Sequence, residues 1–161
     1  MIVVALGTHP QPMDRLLQEL DRLVDRSRLS GPILVQTAAI RYRPRHARVL
    51  GVVDSRQLED LMSSATTVIV HGGPGLIFQA LALGHRPVVV PRLPEFGEHV
   101  DDHQVRFTRW LRERKPIVCV LQIRDLGSAI LTAGRQKGEW HKSHGPSKET
   151  VEIVRRLLED P

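Results

Sequence analysis

Val68-Ile69-Val70-His71-Gly72-Gly73-Pro74-Gly75 is a short β-branched run that breaks into glycines and leads into Leu76 to Leu83, the hand-over from a strand to a helix. Glycine at such a corner lets a ligand approach the backbone, and the unpaired N–H groups of a helix's first turn attract an anion. A second corner follows Val88-Val89-Val90. There Pro91-Arg92-Leu93-Pro94-Glu95-Phe96-Gly97-Glu98-His99-Val100-Asp101-Asp102-His103-Gln104 crowds acids, imidazoles and an amide. Two such corners on neighbouring strands make one pocket.

Outward from these corners the same alternation fills the chain. Ile2 to Leu6, Ile33 to Thr37, Arg48 to Val53, Thr67 to Val70, Pro87 to Val90 and Ile117 to Leu121 are apolar runs bounded by Gly, Pro or polar residues, the pattern of strands. Between them Met13, Leu16, Leu17, Leu20, Leu23 and Val24 recur at three and four residues, one stripe of a helix. Leu58, Leu61, Met62 and Ala65 repeat that spacing after Asp54-Ser55, whose side chains can accept from first-turn amides. Gly84 ends the third helix and Pro116 the fourth, and Ser147 to Leu158 predicts a last helix with Val151, Val154, Leu157 and Leu158 inward. Parallel strands need long crossovers, so the order predicts an α/β fold with a parallel sheet covered by helices on both faces.

In such sheets ligands bind beyond the carboxyl ends of the strands. Gly7-Thr8-His9-Pro10, His71 to Gly75 and Pro91 to Gln104 meet that description, and Gly51-Val52-Val53-Asp54 can close the side with apolar atoms. Neither of the dinucleotide and mononucleotide fingerprints GxGxxG and GxxxxGK[ST] occurs.

At 161 residues and 41% apolar, the chain suits a single domain, residues 1–161, with one core. Cys119 has no intrachain partner and reads as a structural thiol in a reducing compartment. Met1 to Leu6 lacks a basic lead, and no run approaches the roughly 18 apolar residues that span a bilayer, so a cytoplasmic protein is expected. The formal charge of +5 favours anionic partners or surfaces. Only four lysines contribute, and aromatics make up 4%, too few for a stacking platform, so nucleic acid is not expected as a partner. Arg41, Arg43, Arg45 and Arg48 form the densest basic cluster, either a solvated loop or a contact for a membrane surface or partner.

Individual residues leave alternatives open. The glycines can make a turn or cradle an anion, and His71 can be a core histidine or a phosphate contact. Glu98 can be an ordinary first-turn acid. His99 and His103, four apart, share a helical face and raise the question of a metal pair, but two imidazoles are a thin ligand set. Arg109, Arg112, Arg114 and Lys115 suit a helix C-terminus.

Gly7-Thr8-His9 followed by Met13-Asp14-Arg15-Leu16-Leu17, then His71-Gly72-Gly73-Pro74-Gly75, then Glu98-His99-Val100-Asp101-Asp102-His103-Gln104 together resemble the PssE-like bacterial glycosyltransferases of the family 28 group. These are similar to the soluble half of the split eukaryotic N-acetylglucosamine transferase that acts on a dolichol-linked sugar. The resemblance covers nearly the whole chain in the same order. It implies a Rossmann-like donor domain, the carboxy-terminal half of a GT-B enzyme, with a UDP-sugar as donor substrate and no metal or other cofactor.

By the resemblance, Gly72, Gly73 and Gly75 hold the diphosphate, with Gly7, Thr8 and His9 beside it. His103 and Gln104 face the donor sugar and its phosphate, and the backbone of Val53 meets the uracil. Gln79 stands where related domains often carry an acid for the ribose hydroxyls, and an amide can serve them too. Leu76 and Ile77 replace small hydroxyl residues. The implied activity is inverting hexosyl or N-acetylhexosaminyl transfer to a lipid-linked saccharide in exopolysaccharide or capsule assembly, with a membrane-associated partner subunit at the inner face of the plasma membrane. His9 and Glu98 are the candidate bases within the chain, and a base from the partner is the favoured expectation. A noncatalytic enhancer subunit and a self-sufficient UDP-sugar epimerase or hydrolase are the rival readings.

Overall fold

The computed structural model describes residues 1–135; the helix expected over Ser147 to Leu158 lies outside the described residues. Six strands, β1 (Ile2–Ala5), β2 (Ile33–Gln36), β3 (Arg48–Gly51), β4 (Thr67–His71), β5 (Val88–Val90) and β6 (Val118–Cys119), alternate with helices α1 (Asp14–Asp25), α2 (Ser55–Ser64), α3 (Pro74–Ala82), α4 (His103–Arg112) and α5 (Leu126–Arg135). The strands form one sheet in the order β3-β2-β1-β4-β5-β6, every pairing parallel. This is the Rossmann-like α/β order, in which the chain reverses its direction of winding between β1 and β4.

The period of two in the strands divides the core. Ile2, Val4 and Leu6 of the first strand segment, with Ile33, Val35, Ile69, Val88 and Val90, pack under α1 and α5 through Leu16, Leu17, Leu20, Leu126 and Ile130. Val3 and Ala5, with Val68, Val70 and Val89, face α2, α3 and α4 through Met62, Ile77, Ala80, Phe107 and Leu111. Both faces of the sheet are therefore covered, as continuous apolar strands require.

Among the described residues the expected strands and helices are present, most strands with shorter ends. β3 stops at Gly51, which takes a left-handed φ of 72° and leaves Val52 and Val53 in a loop. β6 holds two residues because it is an edge strand paired only with β5. Cys119 on that edge is half-buried, and burial raises its thiol pKa. His99 precedes α4 rather than sharing a helical face with His103, since a 3₁₀ turn over Pro94–Phe96 and a loop come first. α5 has no counterpart among the expected helices, although Leu126, Ala129, Ile130 and Ala133 carry helical spacing and are buried.

The arginine-rich loop is tied down to α1. Asp21, buried, accepts from the Tyr42 hydroxyl at 2.7 Å and from the backbone N–H groups of Arg45 and His46 at 2.8 and 3.0 Å. Asp25 pairs with Arg45 and His46, and Asp14 accepts from the N–H groups of Arg41 and Tyr42. The basic cluster is thus part neutralised in place. No helix among the described residues is long and apolar enough to cross a membrane.

Candidate functional site

A cleft of about 740 Å³ opens where β1 and β4 part, lined by Gly7, Thr8, His9, Val53, Leu58, His71, Gly73, Gly75 and Gln79, among others. Its position beyond the carboxyl ends of the strands at the winding switch is where this architecture holds ligands, and its size is that of a small-molecule site. Eight of the residues singled out in the sequence meet there: Gly7, Thr8, His9, Val53, His71, Gly73, Gly75 and Gln79.

The hydrogen bonds decide which donors are open. Gly7, at a φ of 73°, gives its N–H to Gln36 Oε1 at 3.0 Å, while its carbonyl accepts from Gln36 Nε2 at 3.2 Å. Buried Gln36 thereby fixes the first loop and takes the Gly7 donor. On the other side, Gly73 is the N-cap of α3 and Pro74 its first residue. Gly73 N–H donates to His71 Nδ1 at 2.9 Å, Pro74 has no N–H, and Ile77 N–H returns to the Gly73 carbonyl. Gly75 and Leu76 are left as the first-turn donors facing the cleft.

His71 adds a third. Its Nδ1 accepts from Gly73, so the proton of the neutral ring sits on Nε2, beside Gly7. Gln104 Oε1, 3.3 Å from the same Nδ1, accepts from the Arg92 N–H at 3.1 Å, and two acceptors do not bond each other. Burial and the Arg92 charge lower the His71 pKa to about 4, which keeps the ring neutral. The unfolded chain binds a proton near pH 6.5 that the folded ring refuses until about pH 4, so folding stability falls as pH falls through that window. The full effect is roughly 3 kcal/mol. Acidification from about pH 7 to about pH 4.5 is expected to cost the protein roughly 2 kcal/mol more than His71→Asn, compared by urea unfolding at both pH values.

Glu98, Gln104, His103 and Gly72 do not line the cleft. Glu98 was a candidate base, but its carboxylate is 2% exposed and accepts from Arg15 Nε at 2.8 Å, Arg15 Nη2 at 3.0 Å and Leu93 N–H at 3.0 Å. It is an ion-pair anchor with its lone pairs spent. Buried Gln104 holds the Arg92 backbone against β4, and a Cβ on Gly72 would come within 2.9 Å of Gln104 Cβ, so that glycine serves the packing of α4.

Sequence reasoning gave Arg92 no role, yet it is fully buried and ties its own β5–α4 loop to the β1–α1 loop. Its guanidinium donates to the carbonyls of Leu6, Gln11 and Glu98. A lone arginine set between a β-branched strand and Pro94 was the available signal. Arg92 and Arg15 against Glu98 leave one net positive charge beneath the site. His9 feels it: burial, then Arg92, then the neighbouring His99 and His103 lower its pKa, and its Nδ1 accepts from Gln11 N–H at 3.3 Å.

Comparison with known proteins agrees with this fold. The structure of MurG from Acinetobacter baumannii is similar, at a TM-score of 0.52 and 14% identity, over 98% of this chain and 49% of that one, so the chain spans about half the length of that relative. A structure described as the basis for EarP-mediated arginine glycosylation of translation elongation factor EF-P aligns at 13% identity over 99% of this chain and 61% of its own, with a TM-score of 0.35, below what fixes a fold. No curated protein matches significantly. The glycosyltransferase family 28 C-terminal domain matches residues 1–150, nearly the whole sequence, and the chain belongs to that family.

Proposed function

We propose that this domain binds a UDP-sugar and serves as the donor half of an inverting transferase acting on a lipid-linked saccharide in exopolysaccharide or capsule assembly. The observation that carries this reading is the meeting of Thr8, His71, Gly75 and Leu76 on one cleft, residues whose hydroxyl, Nε2–H and first-turn N–H groups make a donor set suited to a diphosphate. Val53 and Leu58 supply apolar wall for the uracil, and Gln79 reaches the ribose side from the same helix as Gly75.

The reaction follows from that arrangement. A hydroxyl of the acceptor attacks the anomeric carbon, the bond to the diphosphate breaks, and negative charge gathers on departing UDP. Donors fixed in advance stabilise that charge without reorganising, each worth roughly 3 kcal/mol in comparable oxyanion sites. The net positive charge of the Arg15, Arg92 and Glu98 group lies behind them. His9, neutral at pH 7 and on the cleft wall, is the base this chain offers; a base on the acceptor-binding lobe is the alternative source. His103 and Gln104 act through the loop they hold.

A noncatalytic nucleotide-binding enhancer is the second reading. It is favoured by Leu76 and Gln79, cleft residues without the hydroxyl or carboxylate of related domains.

Calorimetry tests the donor role. UDP is expected to bind at least tenfold more tightly than UMP, because the second phosphate meets the first turn of α3, one charged hydrogen bond contributing about 1.5 to 3 kcal/mol. Equal affinity for uridine, UMP and UDP would remove the diphosphate role. UDP-glucose, UDP-galactose and UDP-N-acetylglucosamine compared in the same way identify the sugar.

A further inference from the structure

The loop between β5 and α4 gathers three ligand atoms. His99 Nδ1, Asp101 Oδ1 and His103 Nδ1 all lie within 4.8 Å of one another. His99 Nδ1 stands 3.3 Å from Asp101 Oδ1, and His103 Nδ1 approaches the same oxygen more closely. Two imidazoles alone made a thin ligand set, and Asp101 is the addition that only the folded loop reveals.

Local hydrogen bonding leaves a charge mismatch. The Asp101 N–H points to His99 Nδ1 at 3.4 Å, so that nitrogen carries a lone pair, yet it faces a carboxylate oxygen. The His103 N–H also turns to Asp101 Oδ1, at 3.2 Å. The His103 ring is hydrogen-bonded to that oxygen as well, so the opposed lone pairs are those of His99 Nδ1 and Asp101 Oδ1. A cation placed between them, taking the His103 proton's position as its third contact, reconciles them. Both rings are held in position: His99 stacks on His9 at 5.0 Å and meets His103 edge-on at 4.5 Å, and both side chains are mostly covered. Asp101, half exposed, leaves the way in from solvent.

We infer that His99, Asp101 and His103 form a binding site for a divalent transition cation of the zinc class. Two imidazoles and one carboxylate select zinc, cobalt or nickel over magnesium or calcium, which prefer oxygen. Tetrahedral zinc at ~2.0 to 2.1 Å from each ligand separates them by ~3.3 Å, the spacing of His99 and Asp101. Three protein ligands leave a coordination position open. Since His9 both stacks on His99 and lines the cleft, the ion would sit one ring away from the cleft wall.

The site stands independently of the donor reading, because metal binding is measured without nucleotide. Zinc chloride is titrated into the full chain by calorimetry and cobalt uptake is followed by its visible absorbance, in an H141A/H144A background that removes the second closely spaced histidine pair of the sequence. One equivalent is expected to bind. D101N keeps an oxygen for the His103 N–H but removes the charge, and together with H99A it is expected to lose that equivalent or weaken it at least about tenfold. Circular dichroism verifies that both variants remain folded. No binding by the parent protein, or unchanged stoichiometry and affinity in folded D101N and H99A, overturns the site.

Discussion

Gly73→Ala is expected to lose both stability and UDP binding, whereas Gly75→Val is expected to lose binding alone. A Cβ on Gly73 would stand 2.2 Å from His71 Cε1 and 3.0 Å from both ring nitrogens. The ring cannot retreat freely, for its Nε2 lies close to Gly7 on the other side. Overpacking of this kind costs about 1 to 3 kcal/mol, which for a chain of this size lowers the thermal midpoint by roughly 2 to 10 °C. With His71 displaced, the Nε2–H donor leaves the cleft as well. A side chain on Gly75, in contrast, meets nothing within 4 Å, and the backbone there is not left-handed. Valine fits the fold but fills the space that a phosphate must enter to reach the Gly75 and Leu76 N–H groups. Affinity for UDP is expected to fall about ten- to hundredfold, the loss of one hydrogen bond to a charged group. Differential scanning calorimetry and titration of the two variants separate the effects. A Gly75→Val protein that binds UDP as the parent does would remove the first turn of α3 from the site.

The strands were legible because their β-branched runs are long enough to be buried on both faces and are punctuated by glycine and proline. Their ends were not, since β3 is cut short by the left-handed Gly51 and β6 by having one neighbour. α5 escaped notice for a different reason. Its spacing of Leu126, Ala129, Ile130 and Ala133 is diluted by small residues, and the structure explains one of them: a Cβ on Gly127 would lie 2.9 Å from Leu23 Cδ2, so glycine lets α5 approach α1.

At the site, the location was legible and the division of labour was not. Residue types mark where charge and flexibility gather, and they marked both corners. They do not say whether a polar group turns toward ligand or toward its own backbone. Glu98 and Gln104 carry the chemistry of site residues, yet each is consumed by the corner itself, Glu98 by Arg15 and Leu93, Gln104 by Arg92. Gly7 keeps its loop shape but gives its N–H to Gln36, 29 residues away in sequence and adjacent because β1 pairs with β2. His71 shows the reverse. A histidine that sequence leaves between core and ligand becomes a neutral donor aimed at the cleft once Gly73 fixes its tautomer.

The largest effect is expected from adding an acceptor-binding lobe. The described residues form one lobe with a cleft lined by the β1, β3 and β4 loops at the carboxyl edge of the sheet, and the chain spans about half of the MurG structure it resembles in fold. Around that edge Val52, Phe96 and Val100 stand exposed, Val100 at 81%, which is where a second lobe would exclude water from the reaction. In the proposed reading this domain holds the donor and the second lobe holds an acceptor hydroxyl in line with the anomeric carbon. Aligning two reactants supplies about 7 kcal/mol or more of a barrier in favourable cases, roughly five orders of magnitude in rate. The domain alone is therefore expected to bind UDP-sugar but transfer little, and to gain activity with a membrane-associated partner that brings the lipid-linked saccharide acceptor to the cleft mouth. Reconstitution in membranes that contain or lack the partner, with UDP release and glycosylated product both assayed, measures the gain. Val100→Asp, placed on the exposed edge and outside the cleft, is expected to weaken that gain while leaving UDP affinity unchanged. Full transfer by the isolated domain would sink the two-lobe model, and transfer by the partner alone, merely raised by this domain, would identify an enhancer in its place.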